Sequence, residues 1–447
     1  MAICARHMTT TQRGRARGEP PTALRVGDIK LRTGRMVTMS KQIKNHRFSR
    51  RAHVLGELLF TALFCGTAMA AGQIKAAAED IAPTPPMGWA NWNSLGCNYD
   101  EDAIRAMADR MVSSGMKDAG YRYLIIQECI VPVGHRDANG ILLPDPAKFP
   151  HGIPALVAYI HSKGLKAGIY TDVGPKTCAR YEGSFQHEEQ DAQTFASWGI
   201  DLIEEDFCHE PEGYTAAQLY TRMRDAIAHT GRPMLFYICN WGRELTWTWA
   251  PGLGNAWRST DDVGEPGLAE WNRILRNFDQ NALHAATGGR NHWSDPDMLE
   301  VGVPGISETE EQSTFSLWAI SAAPLWAGND LRTMSAETLR ILSNREVIAI
   351  DQDPLGQPGT LALYDGSGMQ VWTRPLAGAN SPQAVVLLNR DSKEEKIDLR
   401  WKDLGIYKPA SARDLWLHKD LGVLPDGYAA TIPPHGSVML RVDPVEK

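Results

Sequence analysis

The stretch Asp201-Leu-Ile-Glu-Glu-Asp-Phe-Cys208 decides how the rest of this chain is interpreted. It begins as an apolar strand and ends in three consecutive acids, Glu204, Glu205 and Asp206. An unpaired buried charge costs several kcal/mol, so a strand that only supports a fold rarely ends in carboxylates. The pattern therefore predicts a strand tip that opens into a site where a carboxylate takes part in chemistry.

A second acidic tip lies further along the chain, in Trp257-Arg-Ser-Thr-Asp-Asp262. Two acids on separate strand tips are the groups that hydrolysis of a glycosidic bond requires. Adjacent strand residues point to opposite faces, so only one acid of each pair is expected to enter the site. Asp261 is thus the rival of Asp262, and Glu205 the rival of Asp206, because bulges often break the alternation at strand tips.

Around these tips, residues 83–356 repeat one unit: an amphipathic helix, a glycine and a short apolar strand. Strands are predicted at 87–92, 121–128, 166–172, 201–206, 234–240, 256–261, 292–295 and 324–327. Eight strands with seven helical returns in roughly 270 residues match a (β/α)8 TIM barrel. A doubly wound sheet would have a glycine-rich phosphate fingerprint after its first strand, and Trp89-Ala-Asn-Trp-Asn-Ser-Leu-Gly96 is not one.

The carboxyl ends of the predicted strands carry polar side chains, and barrels build their active sites at this face. These residues are Trp92, Gln127, Glu128, Asp172, Asp206, Asn240, Trp241, Asp261, Asp262, Asp295 and Asp297. So many polar tips exceed what a barrel needs for stability, although some are expected to cap helices or form ion pairs.

After the barrel, residues 357–447 change to short alternating strands separated by turns such as Asp365-Gly366. This pattern predicts a small antiparallel β-sandwich. Such a domain either binds carbohydrate or packs on the barrel for stability. We favour the second interpretation, because a fold by itself does not imply a function.

The first 70 residues contain 13 Lys and Arg against 3 acids, and they end in an apolar run, 54–66, followed by Ala68-Met-Ala70. The pattern predicts a signal peptide cleaved near Ala70 and a secreted or periplasmic protein, despite Glu57 within the run. Met39 is a candidate translation start, which makes residues 1–38 an extension. The alternative, a basic arm for nucleic acid, does not explain the apolar run.

The chain has 46 basic and 53 acidic residues, so the part after residue 70 carries a net charge of −17. Such an acidic protein is a poor binder of nucleic acid, and no later stretch is apolar enough for a membrane span. Of seven cysteines, five follow residue 70: Cys97, Cys129, Cys178, Cys208 and Cys239. They lack metal-site spacing, and two bridges with one free thiol are expected, with the pairing open.

Several long motifs, in order, resemble the α-galactosidase (melibiase) family, glycoside hydrolase family 27. They are Pro86-Met-Gly-Trp-Ala-Asn-Trp-Asn-Ser-Leu-Gly-Cys97, Gly168-Ile-Tyr-Thr-Asp-Val-Gly174, Asp206-Phe-Cys208, Ile238-Cys-Asn-Trp241, Arg258-Ser-Thr-Asp-Asp262 and Trp293-Ser-Asp-Pro-Asp-Met-Leu299. The resemblance covers about residues 83–360, and the family carries a sandwich after its barrel. It implies a retaining, cofactor-free and metal-free enzyme that acts on oligosaccharides or polysaccharides.

The resemblance also implies roles for individual residues. Asp206 is expected to be the nucleophile and Asp262 the acid/base, which a retaining mechanism brings about 5–5.5 Å apart. Disulfides are implied at Cys97–Cys129 and Cys178–Cys208. The expected substrate-binding residues are Trp92, Gln127, Glu128, Tyr170, Glu204, Cys239, Trp241, Arg258, Asp295 and Met298.

The chain departs from the family pattern at the residues that contact the sugar. Gln127-Glu128-Cys129 stands where the family has Asp-Asp-Cys, Glu204 replaces a lysine, and Asn240 replaces a frequent glutamate. A site built for one hydroxyl arrangement rejects others, so another sugar, such as an α-glucoside or another pyranoside, is the alternative substrate. A catalytically inactive sugar-binding protein conflicts with the presence of both Asp206 and Asp262. A metallohydrolase would need clustered histidines, whereas His151, His161, His187 and His229 are scattered.

Overall fold

Eight parallel strands form the first domain in the computed structural model, which describes residues 81–445. The strands follow the order β7-β6-β5-β4-β3-β2-β1-β8. The backbone N–H of Leu299 donates to the carbonyl oxygen of Trp326 at 2.8 Å, which joins the ends of this curled sheet. The predicted barrel is confirmed. The strands are β1 (Met87–Ala90), β2 (Tyr123–Ile126), β3 (Lys166–Asp172), β4 (Leu202–Asp206), β5 (Leu235–Cys239), β6 (Ala256–Arg258), β7 (Trp293–Asp295) and β8 (Leu325–Ala327).

Helices pack around the strands and bury apolar side chains against them. Their ends follow from the local sequence. For example, Thr215 and Gln218 form a capping box at the start of one helix, and Gly231, at φ 69°, ends it. The helices are α1 (Trp92–Leu95), α2 (Glu101–Ser113), α3 (Met116–Ala119), α4 (Ile153–Ser162), α5 (Glu188–Trp198), α6 (Ala216–Thr230), α7 (Trp271–Ala282), α8 (Glu308–Ser321), α9 (Ala336–Leu342) and α10 (Arg345–Asp351). No helix among residues 81–445 is long and apolar enough to cross a bilayer.

Three predictions about the barrel need correction. The connection between β5 and β6, residues 240–255, contains a 3₁₀ turn (Thr246–Thr248) and no α-helix, so six of the seven returns are α-helical. Strand β6 ends at Arg258, three residues earlier than predicted, so Asp261 and Asp262 lie in a loop. Trp92 begins α1 instead of ending β1. In each case polar and turn-forming residues follow a strand that pairs over only a few residues.

The second domain is antiparallel, as the alternation predicts. A six-stranded sheet has the order β14-β13-β16-β11-β10-β9, and β12 pairs with β15. The strand Lys419–Leu424 (β14) was not predicted, because it lies at the sheet edge and has no buried face to produce an alternating pattern. The other strands are β9 (Thr360–Tyr364), β10 (Met369–Pro375), β11 (Gln383–Asn389), β12 (Glu395–Arg400), β13 (Ala410–Asp414), β15 (Gly427–Ile432) and β16 (Ser437–Pro444).

The sandwich packs against α8 of the barrel. Arg374 of β10 is fully buried and donates to the carbonyl oxygen of Ala319 at 2.7 Å. The indole of Trp416 donates to the hydroxyl of Ser316 at 2.9 Å. Because α8 is buried along most of its length between the two domains, the sandwich covers apolar surface that the barrel alone would expose.

Candidate active site

A cavity of about 200 Å³ lies where the carboxyl ends of the barrel strands meet. Eleven of the twelve side chains predicted to form the site line it. They are Trp92, Gln127, Glu128, Tyr170, Glu204, Asp206, Cys239, Trp241, Arg258, Asp262 and Met298. The barrel thus gathers side chains from the ends of seven strands and from the segments after them into one space. Their position at the ends of apolar strands was the sequence signal for residues such as Gln127, Asp206 and Asp262, whereas Tyr170, Cys239 and Met298 came from the family resemblance.

Strand β4 supplies two carboxylates to the cavity and keeps a third out of it. Glu204 and Asp206 line the cavity, while Glu205 between them is fully buried elsewhere. Alternation along the strand produces this arrangement. Neither carboxylate oxygen of Glu205 has a hydrogen-bond partner within residues 81–445, and burial raises its pKa well above the ordinary value. Asp206 is therefore the last residue of β4 and, unlike Glu205, it faces the cavity.

Asp206 is held in a fixed orientation. The hydroxyl of Tyr170 donates to Oδ2 at 2.7 Å, and the backbone N–H of Phe207 donates to Oδ1 at 2.8 Å. Burial raises the pKa of Asp206, the Tyr170 hydrogen bond lowers it and the negative charge of Asp262 raises it, which together bring it to about 7. In its ionised form this carboxylate, with its oxygens oriented, is suited to attack an electrophilic carbon.

Arg258, at the end of β6, connects Asp262 to the floor of the cavity. Its guanidinium is buried and donates to Asp262 Oδ1 at 2.9 Å, and it forms an ion pair with Asp297 Oδ1 at 2.8 Å. The side chain of Asp262 is 63% exposed, so solvent reaches its carboxyl group at the rim of the cavity. The alternation argument against Asp261 does not apply, because both acids follow the end of the strand.

Asp295 is the predicted site residue that does not line the cavity. It is fully buried below the floor, where Oδ2 accepts hydrogen bonds from the Tyr237 hydroxyl at 2.8 Å and the Trp326 indole at 3.1 Å. Asp297, two residues later, lines the cavity instead. Asp297 has φ 97°, which turns the chain after β7, so the sequence position after the strand could not show which aspartate reaches the site.

Gln127 and Glu204 form a closed pair on the cavity wall. The Gln127 Nε2 donates to both Glu204 oxygens, at 2.9 and 2.8 Å, and its Oε1 accepts the Trp92 backbone N–H at 3.2 Å. Every polar group of the Gln127 side chain is therefore engaged. Burial raises the pKa of Glu204, the Gln127 hydrogen bonds lower it and the charge of Asp206 raises it, and the result is about 8. At this place the cavity wall carries the carboxyl oxygens of Glu204, where the family pattern has the ammonium group of a lysine.

The other two residues that depart from the family pattern, Glu128 and Asn240, also form hydrogen bonds within the protein. Glu128 lines the cavity, but its oxygens accept the Thr177 hydroxyl at 2.6 Å and the Ala179 backbone N–H at 2.9 Å. Asn240 is fully buried and lies outside the cavity lining, and its side chain donates to the Arg243 carbonyl oxygen at 2.8 Å. Of the two, only Glu128 is placed to affect a bound sugar.

Both predicted disulfides are present, at Cys97–Cys129 and Cys178–Cys208, and Cys239 is a buried free thiol. Cys178 Sγ lies 3.3 Å from Asp206 Oδ2, so the second bridge supports the nucleophile candidate. Asp172, Asp206 and this sulfur pair are close enough to surround a metal ion. The sulfurs are disulfide-bonded and offer no thiolate, however, so this cluster has only two carboxylates as ligands.

Comparison with known proteins agrees with this geometry. The profile described as alpha galactosidase A matches residues 84–353, and the alpha galactosidase C-terminal beta sandwich domain matches residues 366–442. This chain belongs to the α-galactosidase family. It is therefore a glycoside hydrolase, and the predicted family resemblance is confirmed.

Individual relatives match most of this chain and nearly all of their own length. A probable alpha-galactosidase of Dictyostelium discoideum is 43% identical over 84% of this chain and 97% of its own length. The crystal structure of alpha-galactosidase I from Mortierella vinacea superimposes with a TM-score of 0.77 at 34% identity, covering 83% of this chain and 100% of its own. A β-L-arabinopyranosidase from Geobacillus stearothermophilus has a TM-score of 0.75 at 26% identity, with 83% and 98% covered.

Proposed function

We propose that this α-galactosidase-family protein hydrolyses terminal α-galactosides with retention of anomeric configuration. The observation that carries the proposal is the pairing of Asp206, oriented by Tyr170, with Asp262, held by Arg258, on one cavity. Retaining glycosidases use two such carboxyl groups on opposite sides of the scissile bond. The names of the similar proteins support galactose as the sugar.

The reaction proceeds in two displacements. Asp206 attacks the anomeric carbon and forms an ester bond to it as the bond to the leaving oxygen breaks, and Asp262 gives that oxygen its proton. Water then attacks the same carbon, returns a proton to Asp262 and releases Asp206 as a carboxylate. Two inversions yield the α-anomer. Arg258 stabilises the Asp262 anion that forms when the leaving oxygen takes the proton and that lasts until water returns one.

The mechanism is tested by the first anomer released and by rescue of two variants. NMR of fresh hydrolysate should show α-galactose before mutarotation. Asp206→Asn and Asp262→Asn should each lose more than about a thousandfold in kcat. Azide should then give the β-galactosyl azide with the first variant and the α-galactosyl azide with the second. Release of the β-anomer, or full activity of either variant, would refute the assignment.

The Gln127–Glu204 pair makes two other glycosides, a β-L-arabinopyranoside and an α-glucoside, the alternative substrates. Its closed hydrogen bonds leave no amide donor for a sugar hydroxyl, and Gln127 and Glu128 are each one methylene longer than the aspartates of the family pattern. A longer side chain leaves less room for the substrate. A β-L-arabinopyranoside has the ring of an α-galactoside without the hydroxymethyl group, and an α-glucoside has the opposite 4-hydroxyl.

The sugar is assigned by comparing kcat/KM for the p-nitrophenyl α-galactoside, β-L-arabinopyranoside and α-glucoside. We expect the α-galactoside to be the best substrate. The double variant Gln127→Asp with Glu204→Lys restores the family pair and should raise the preference for galactose further, whereas Asn240→Glu, outside the cavity, serves as the matched control. A wild-type preference for either of the other two glycosides would replace galactose as the substrate.

We also propose that the protein is exported. The support is the basic, apolar and small-residue pattern before Ala70, which lies outside the described residues, together with two disulfides that form in oxidising compartments. N-terminal sequencing of the protein recovered from the medium or periplasm tests this. A full-length chain retained in the cytoplasm would contradict it.

A further inference from the structure

A second depression, here called the arginine groove, adjoins the active-site cavity. It encloses about 400 Å³ and is lined by Trp241, Arg243, Asp261, Asp262, Arg273 and Arg276. Trp241 and Asp262 also line the active-site cavity, so the two spaces meet at these residues. Asp262 is the proposed proton donor to the departing oxygen. Whatever leaves with that oxygen therefore lies on the side of the arginine groove.

Arg276 of α7 offers an unneutralised charge to this groove. It has no carboxylate within ion-pair distance anywhere in residues 81–445. Its N–H groups donate to the side-chain oxygen of the neighbouring Asn277 at 3.3 and 3.4 Å, and to the backbone oxygen of Asp262 at 3.5 Å. These weak contacts to neutral oxygens place the guanidinium beside Asp262 and leave its charge available to a ligand.

Within residues 81–445, the other two arginines have only long ion pairs with exposed partners. Arg243 lies 3.7 Å from Glu210, and Arg273 lies 3.4 Å from Glu270 and 3.8 Å from Glu265. Exposed pairs of this kind contribute little, so a better-placed anion can replace them. The Arg243 guanidinium also lies over the Trp241 ring, 4.6 Å from its centroid. This stacking holds the charge at the junction of groove and cavity.

The acids of the groove do not balance these three cations. Asp262 is already bonded to the buried Arg258, which leaves Asp261 as the one groove carboxylate outside an ion pair in the described part of the chain. Glu210, Glu265 and Glu270 border the groove as the distant partners of Arg243 and Arg273, so the charge first available to a ligand is that of Arg276. Residues after 70 carry a net charge of −17, so an anionic ligand is repelled by most of this protein and finds its attraction at these arginines.

We propose that the arginine groove binds a leaving group that carries a carboxylate. The preferred substrates are then acidic oligosaccharides in which a uronic or aldonic acid stands next to the cleaved sugar. Guanidinium groups bind carboxylates through paired N–H donors, which a neutral hydroxyl cannot match. This inference rests on the proposed glycosidase mechanism for the position of the leaving group.

The test compares two substrates that differ in one group. Galactose α-1,6-linked to gluconate and galactose α-1,6-linked to glucitol share the glycon, the leaving oxygen and an open-chain aglycone, and differ only in carboxylate against hydroxymethyl. We expect wild-type kcat/KM to favour the gluconate by at least about fivefold, and less at high salt. Arg276→Gln and Arg243→Gln should each reduce this ratio about two- to fivefold.

Arg400→Gln, an exposed arginine of the sandwich, is the matched control and should leave the ratio unchanged. The proposal is overturned if the wild-type ratio of kcat/KM for the gluconate to kcat/KM for the glucitol is near one. It is also overturned if Arg276→Gln leaves this ratio unaltered, even where the variant cleaves both substrates more slowly. If glucosides prove to be the substrates, isomaltonate and isomaltitol form the equivalent pair. If no glycoside is cleaved, the proposed function fails, and saturation-transfer NMR with gluconate against glucitol decides the groove separately, with equal binding overturning it.

Discussion

The hydroxyl of Tyr170 lowers the pKa of the proposed nucleophile, so its removal has a defined effect on pH dependence. It donates the 2.7 Å hydrogen bond to Asp206 Oδ2, and the pKa of Asp206 with this bond in place is about 7. Asp206 attacks only when ionised, so kcat/KM for an aryl galactoside should fall as the pH drops through about 7. Tyr170→Phe removes a donor that favours the ionised form, so the pKa of Asp206 rises.

The size of this change follows from the strength of the hydrogen bond. A bond to a charged group contributes about 1.5–3 kcal/mol, and a tenfold change in ionisation corresponds to about 1.4 kcal/mol. The acidic limb of the profile should therefore move upward by about one to two pH units in Tyr170→Phe. At pH 6 the variant should lose at least about tenfold relative to wild type, with a smaller loss above pH 9.

Profiles of kcat/KM between pH 4 and 10 measure the shift. Tyr220→Phe is the matched control, because Tyr220 is also buried, packs on Phe207 and has no hydrogen-bond partner for its hydroxyl among residues 81–445. Its acidic limb should coincide with that of wild type. A limb in Tyr170→Phe that stays in place, or equal shifts in both variants, would refute the role given to this hydrogen bond.

Three further predictions concern stability. Arg258→Ala leaves the buried Asp297 carboxylate without its ion pair and should lower the free energy of unfolding by about 3–5 kcal/mol, measured in urea; Arg258→Lys should recover part of it. Glu205 has a pKa raised by burial, so the native state holds more protons than the unfolded state and loses stability as the pH rises above about 4.5. Glu205→Gln should therefore be more stable than wild type by a margin that grows between pH 5 and 8, and a margin independent of pH would contradict this. Replacing Cys178 and Cys208 by serine should lower the free energy of unfolding in urea by about 2–4 kcal/mol and should also lower kcat, since this bridge contacts Asp206. Replacing Cys97 and Cys129, whose hydrogen bonds in the described residues do not reach Asp206, should lower the free energy of unfolding with less effect on kcat.

Local sequence was sufficient for the elements whose pattern depends on burial. Strand β3 has the predicted bounds, because the run of apolar residues reports directly on which part of the chain is buried. The same alternation predicted that only one of Glu205 and Asp206 enters the cavity, and the family resemblance indicated Asp206, which lines it. The edge strand β14 was not predicted, because neither of its faces is buried and its sequence therefore has no alternating pattern.

What the chain sequence determined by itself is the set of strand tips and the chemical groups they carry. Tertiary structure alone decided which of those groups meet: Asp297 reaches the cavity and Asp295 does not, Gln127 closes on Glu204 from another strand, and Arg276 of α7 comes to stand beside Asp262. The physical reason is that spacing along a strand fixes the face of a side chain, whereas the loops after the strands turn freely until packing and hydrogen bonds between distant segments hold them.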